Sequence, residues 1–404
     1  MSFQTGLSGL NASSRNLDVI GNNIANANTT GMKSSRAEFG DLIAASLGAG
    51  GSGGAGIGVA VSTIAQQFTQ GNVTTTGNSL DVAINGNGFF QLAQPDGSLA
   101  YTRDGAFKLD KDGYIKTNTG ANVMGYPTDK TGVATSTTIQ KLQLPTSAPI
   151  AASVTTSIAA EFNLDARAAV AASATPPTPR STYGTSMTVY DSQGATVPVN
   201  LYFERVASTT TDNWDVYDST SATATPLFTM SFNADGTIAA PLIAPTLTIA
   251  TPSAVTPSIS AALDISKVTQ FGSAFSVSNL TQDGYAPGEL TGLSINEGGA
   301  ITARYSNGQT QSNGKLTLAD FRNVQGLAPL GGNAWAATFS SGSPLQGSPG
   351  VGRFGAVRAG ALEESNIDLT AELVNMMTAQ RAYQANAQTI KTQDQVMSTL
   401  LNLR

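Results

Sequence analysis

The chain has 404 residues, no cysteine and no histidine, and a formal charge of −6. Such a length supports two or three domains with a sizeable core, while the missing residue types exclude disulfides, thiolate metal sites and cysteine nucleophiles and remove the commonest general base and metal ligand. The acidic balance offers no footprint for nucleic acid, and charged residues at 12%, against about 25% in ordinary soluble proteins, suit a protein that packs against itself or an extracellular β-protein.

No apolar run approaches the roughly 18 residues of a membrane span, so no membrane insertion is expected. The start, MSFQTGLSGLNASSRNLD, lacks the basic opening and apolar centre of a signal peptide; work outside the cell would need another export route. Phe3, Leu7, Leu10, Ser14, Leu17, Gly21 and Ile24 alternate by four and three residues, a heptad seam with two small members. Thr29, Thr30 and Gly31 are expected to end this helix. A second short helical piece is expected within 32–47, around Phe39, Leu42, Ile43 and Leu47. The stretch GAGGSGGAGIG at 48–58 reads as a loop.

From about residue 59 the period becomes two. LDVAI (80–84), FFQLA (89–93), SLAYT (98–102), AFKLD (106–110) and YIKTN (114–118) read as strands of a meander, separated by Asn-Gly and Asp-Gly turns. Residues 145–182 are rich in Ala, Thr, Ser and Pro. A second β region follows at 186–206, 213–218 and 227–243, and 244–264 is again Thr/Ala/Pro/Ser-rich. Strand signals resume at 293–295, 300–305 and 315–318. Trp335 and Phe339 are expected in a core, and 340–360 reads as a Gly/Ser/Pro-rich connection.

The last forty residues are helical again. Asp368 is a candidate N-cap, with Glu372 in the first turn where the helix dipole favours an anion. Leu369, Leu373, Met376, Gln380, Tyr383, Ala387, Ile390, Asp394, Met397 and Leu401 repeat the four-three spacing, with no Gly or Pro between Asp368 and Arg404. Matching seams at both ends predict that the termini pair. The expected fold is mainly β with coiled-coil α-helical termini and nested β domains, the distal one inserted in the proximal one. The expected division is a terminal helical domain at 1–31 and 365–404, connecting segments at 32–70 and 340–364, a proximal β domain at 71–144 and 285–339, and a distal β domain at 145–284.

Away from the seams the helices carry Asn, Gln, Thr and Ser where a solvated helix usually carries Glu and Lys. Amides tolerate burial among polar neighbours better than charges do. One reading is a plain intramolecular coiled coil; the other is that the termini are assembly elements completed when copies stack. The candidate assembly residues are Phe3, Leu7, Leu10, Leu17, Gly21, Asn22, Asn23, Ile24, Leu373, Met376, Tyr383, Ile390, Met397 and Leu401. Gly21 is expected to permit close approach of another backbone.

Three stretches carry a resemblance: SGLNASSRNLDVIGNNIANANTTGMKSS (8–35), GNSLDVAINGNGFFQL (77–92) and NIDLTAELVNMMTAQRAYQANAQTIKTQDQVMSTLLNLR (366–404). Together they closely resemble the bacterial flagellar rod and hook axial protein family. Rod members lack most of the middle, so the region from Pro145 to Gly284 makes the chain similar to the hook members. The resemblance implies a structural subunit of a flexible tube that passes motor torque to the filament, with terminal helices lining the tube and β domains outside. It also implies export through the flagellar type III apparatus without a cleaved signal peptide, and an extracellular place in the hook and basal body. Implied partners are other copies of the chain, rod proteins, the hook cap and hook–filament junction proteins; no cofactor is implied. The alternatives are a distal-rod or other axial protein, or a secreted β-rich carbohydrate-binding protein or glycosidase.

Other signals are weak. LDKDGYI (109–115) has half the spacing of a calcium loop but lacks the later ligands and reads as a turn. The glycine loop lacks a P-loop lysine. Asp81, Asp104, Asp191 and Glu204 have no spacing that argues for a glycosidase pair.

Overall fold

The computed structural model describes residues 2–43, 56–145, 149–209, 211–252 and 255–402. Strands dominate between two helices, α1 (Ser2–Ala25) and α2 (Leu369–Asn402). The chain forms two compact units: residues 1–147, 292–304 and 310–404 make one, and 148–291 with 305–309 make the other. Both helices and the meander belong to the first unit.

The meander strands fall close to their expected places, at Val82–Asn85, Phe89–Ala93, Leu99–Thr102, Phe107–Leu109 and Ile115–Thr117. The strand Phe89–Ala93 is buried on both faces, so its alternating side chains feed two clusters. Phe90 and Leu92 join Val82, Ile84, Phe107, Ile115, Val123, Leu316 and Leu318 in the main core. Phe89 points the other way, into an aromatic cluster with Tyr101, Phe321 and Trp335. Trp335 is thus a core residue as expected. Phe339 is not: it is 103% exposed, in the turn where the Gly342 amide bonds the Phe339 carbonyl.

In the second unit, Gly184–Tyr190, Thr196–Val206, Asp212–Tyr217, Phe228–Phe232 and Ile238–Ala240 form one antiparallel sheet. A second sheet centres on Ser157–Asp165. That strand pairs in parallel with Ile259–Asp264 and Thr269–Phe271, and antiparallel with Ser276–Gln282. Inner faces of both sheets share one core of Ile158, Phe162, Leu164, Val199, Leu201, Phe203, Trp214, Met230 and Leu263, which makes the unit a β-sandwich. Where the chain enters and leaves, Ile150 pairs with Gly288 and Ser153 with Tyr285.

Three expectations need correction. The helical piece expected at 32–47 is a strand, β1 (Ser35–Ile43), paired antiparallel with β2 (Gly56–Gln66); Leu47 and most of the glycine stretch lie outside the described residues. The Ala/Thr/Ser/Pro-rich stretches contain Ser157–Asp165, Thr246–Ile249 and Ile259–Asp264, each in a sheet. The expected connection at 340–360 carries Leu345–Gly347 and Ala356–Ala359, paired with Leu318–Asp320 and Val82–Asn85.

Candidate functional site: the terminal helical arm and its root

Asp368 caps α2, accepting hydrogen bonds from the Thr370 and Ala371 amides at 2.8 and 3.2 Å, as its position ahead of the apolar run led one to expect. The helices run antiparallel, since positions rising along α1 meet positions falling along α2. A Cβ added at Gly6 would lie 3.1 Å from Ile390, and one at Gly9 would lie 3.0 Å from Asn386. Asn386 donates to the Ser13 hydroxyl at 3.3 Å, and Asn23 donates to Glu372 at 3.1 Å.

The termini therefore pair, but not along the expected seams. On α1 the buried positions are Gly6, Ala12, Val19, Ile20 and Asn23; on α2, Ala379 is buried and Glu372, Met376, Asn386, Ala387, Ile390 and Gln393 are half-buried. The physical reason is a second neighbour. β2 also lies on α1, with the Val59 amide donating to the Ser8 hydroxyl at 3.3 Å, so α1 turns its smallest face to α2. Leu10, Leu17, Gly21 and Ile24 are half-buried and Asn22 is exposed. Nothing lies within 4 Å of a Cβ at Gly21, so Gly6 and Gly9 hold the close-approach role expected there. Phe3 and Leu7 are exposed, as are Leu373, Val374, Met377, Tyr383, Val396 and Met397. The side chain of Leu401 lies outside the described residues. Apolar stripes are thus left open on both helices.

Asn23, placed by the sequence at an interface between copies, is 1% exposed and spent within the chain. Its amide nitrogen donates to the Ser35 carbonyl at 2.8 Å as well as to Glu372, and its oxygen accepts the Ser35 amide at 2.9 Å. One side chain so ties α1 to both β1 and α2. Asn366 mirrors it, accepting the Ser34 amide at 2.8 Å and donating to the Gln67 carbonyl at 2.7 Å.

Beneath these amides lies a group that sequence reasoning missed. Glu363 is buried in the strand Ala361–Glu363, which pairs with Val73–Thr75. Its Oε1 accepts Lys33 Nζ at 2.5 Å and the Gly71 amide at 3.0 Å; its Oε2 accepts Arg103 Nη1 at 3.2 Å. Lys33 also donates to the Thr69 carbonyl at 2.7 Å, and Arg103 to the Gly86 carbonyl at 2.9 Å. The Arg103 guanidinium sits 5.3 Å from the centre of the Phe89 ring. Burial pulls the Lys33 ammonium below its ordinary pKa of 10.5, against the opposing pull of Glu363. The only available hint was Lys33 itself, the first lysine of a charge-poor chain. A carboxylate so enclosed and engaged on both oxygens has no free lone pair facing solvent, which fits a tie between segments rather than proton transfer. Among the described residues no His, Cys, Asp or Glu group of three or more converges as a metal site, and no helix is long and apolar enough to cross a membrane.

Known proteins resemble this chain along its whole length. Four family models match: Flagella basal body rod protein over residues 3–33, Flagellar hook protein FlgE/F/G D1 domain over 83–161, Flagellar basal body protein FlaE D2 domain over 163–285, and Flagellar basal body rod FlgEFG protein C-terminal over 358–403. The chain is 43% identical over 420 residues to the flagellar hook protein FlgE of Escherichia coli (strain K12), with all of both chains covered. It is 43% identical over 432 residues to the Salmonella typhimurium protein of that name, again with full coverage. With the Rhizobium meliloti one it shares 34% over 410 residues, covering 100% of this chain and 98% of that one. Its fold is similar to the crystal structure of Helicobacter pylori flagellar hook protein FlgE2, with a TM-score of 0.54 at 16% identity, over 72% of this chain and 100% of that one.

Proposed function

This chain belongs to the flagellar hook protein FlgE family and is a structural subunit of the bacterial flagellar hook, and from that premise we propose that its helical arm is the element by which copies stack into a tube. The observation that carries this reading is the pair of apolar stripes left open on the arm, at Phe3 and Leu7 on α1 and at Leu373, Tyr383 and Met397 on α2. Completing the burial of such half-exposed side chains is worth about 1 kcal/mol apiece on area grounds, and a helical lattice repeats that gain at every copy. The neutral amides between them accept burial without leaving a stranded charge.

As an axial polymer the protein assembles with other flagellar components at the hook and basal body. In the finer reading its neighbours are the rod below, the cap during growth and the junction proteins above, and it reaches the cell exterior through the flagellar type III export apparatus. The tube acts as a universal joint, passing torque while bending, so outer contacts slide while arm contacts hold. A charge-poor exterior suits sliding because ion pairs impose register.

The test is electron microscopy of full-length protein in concentrated sulfate, which strengthens apolar burial. Leu373→Asp combined with Met397→Asp should abolish tubes while leaving the far-ultraviolet circular dichroism of the monomer intact. Tubes as long and numerous as wild type would refute the assignment of the arm.

A further inference from the structure

We propose that Lys33, Glu363 and Arg103 are positioning residues: together they form the mount that fixes the helical arm to the β-body of its own subunit, so that the arm moves force into that body as one piece. The proposal rests on the arm being the stacking element. Four separate segments meet at Glu363, its own among them. Lys33 comes from the stretch just after α1, Gly71 and Thr69 from the turn after β2, Arg103 from the meander, and Glu363 itself from the strand just before α2. The Gly31 amide also bonds the Glu363 carbonyl at 2.8 Å. Both chain segments that lead into the arm are therefore fastened to one carboxylate and, through it, to the sheet.

Stability alone does not account for the choice of residues. Lys33, Glu363 and Arg103 are 0%, 1% and 5% exposed in a chain that has few charges to spend. An apolar trio of similar volume would generally hold a fold as well or better, whereas charges accept only one arrangement of partners. Two cations hydrogen-bond Glu363, while Arg103 also feels the buried Asp320 carboxylate. The arrangement is therefore asymmetric: losing Glu363 strands Lys33 and takes from Arg103 its hydrogen-bonded partner, whereas losing Lys33 leaves the Glu363–Arg103 pair and frees only the segment behind α1.

Hydrogen exchange with mass spectrometry on the full-length monomer reads this asymmetry. In wild type the arm's root, residues 20–35 and 361–375, should be protected. Glu363→Gln should speed exchange at both root segments by roughly a hundredfold or more, the loss expected when a buried ion pair is broken from one side. Lys33→Met should speed 20–35 by more than tenfold and 361–375 much less, with the strands Asn122–Tyr126 and Thr196–Val206 unchanged in both variants. Lys33→Arg, which keeps the charge, should retain more root protection than Lys33→Met. If Glu363→Gln fails to fold, the Lys33→Met pattern decides. An unprotected root in wild type, unchanged exchange in Lys33→Met, or equal acceleration across the whole first unit would overturn the mount. Because exchange is read on the monomer, a failure here is separable from a failure of the stacking reading, which tube formation tests.

Discussion

Gly31 follows α1 with φ at +67°, and a Cβ there would meet the Asp104 amide nitrogen at 2.5 Å. Gly31→Ala therefore combines backbone strain with a collision against main chain, and should cost at least about 1–3 kcal/mol, seen as a lower urea midpoint. Gly21 is the opposite case, a helical glycine with open space around its Cβ. Gly21→Ala should stabilise the monomer by about 0.5–1 kcal/mol; if Gly21 meets another copy in the tube, the same variant should also polymerise less. Sequence could not rank these glycines, nor pick Gly6 and Gly9 as the contact positions, because a glycine's role depends on what approaches it. The same limit hid Glu363, whose partners come from up to 330 residues away.

At the scale of elements, the cap and the extent of α2 were legible because those cues are local, whereas its seam was not, since Leu373, Tyr383 and Met397 stay exposed. Asp368→Ala removes the acceptor for two amides and should cost about 1 kcal/mol of stability at the start of the helix, measurable as lost ellipticity at 222 nm in moderate denaturant. The strand β1 was read as helix for a physical reason. Among the described side chains of β1 only Ala37 is buried, while Phe39 and Leu42 are exposed, so no buried face imposes a two-residue period, and Phe39, Leu42 and Ile43 fall at helical spacing. Ser157–Asp165 shows the reverse. Ile158, Ala160, Phe162 and Leu164 are buried alternately, so the period was present, but Ala and Thr around it obscured the edges. The α1 seam failed because β2 competes with α2 for the helix surface, a tertiary fact that spacing does not carry.

For the whole molecule, the sequence implied nesting through its order of helix, strands and helix, and each unit has its own core. Trp214→Ala should lower only the transition of the second unit in calorimetry, by about 3–5 kcal/mol for a large buried side chain, leaving the unit built around Phe90 to melt as before. Acid should act on the second unit through Asp283. Burial pushes its carboxyl up, but hydrogen bonds from the Thr156 hydroxyl and from the Ser157 and Thr156 amides outweigh that and hold it below its ordinary 3.8. A depressed carboxylate contributes stability above the unfolded-state pKa and loses it as pH falls through the folded value. Asp283→Asn should therefore be less stable than wild type at neutral pH and lose its disadvantage as pH falls below the ordinary carboxyl range, in melts followed across pH. Asp283 stands beside the point where the chain crosses into the second unit and back, zipped by Ile150 with Gly288 and Ser153 with Tyr285. Because the two crossings are already adjacent, closing them with something else costs little loop entropy. The place is a ready graft site: replacing residues 157–282 by a foreign domain whose own ends lie close together should leave the first unit folded, which the calorimetric transition of that unit would check.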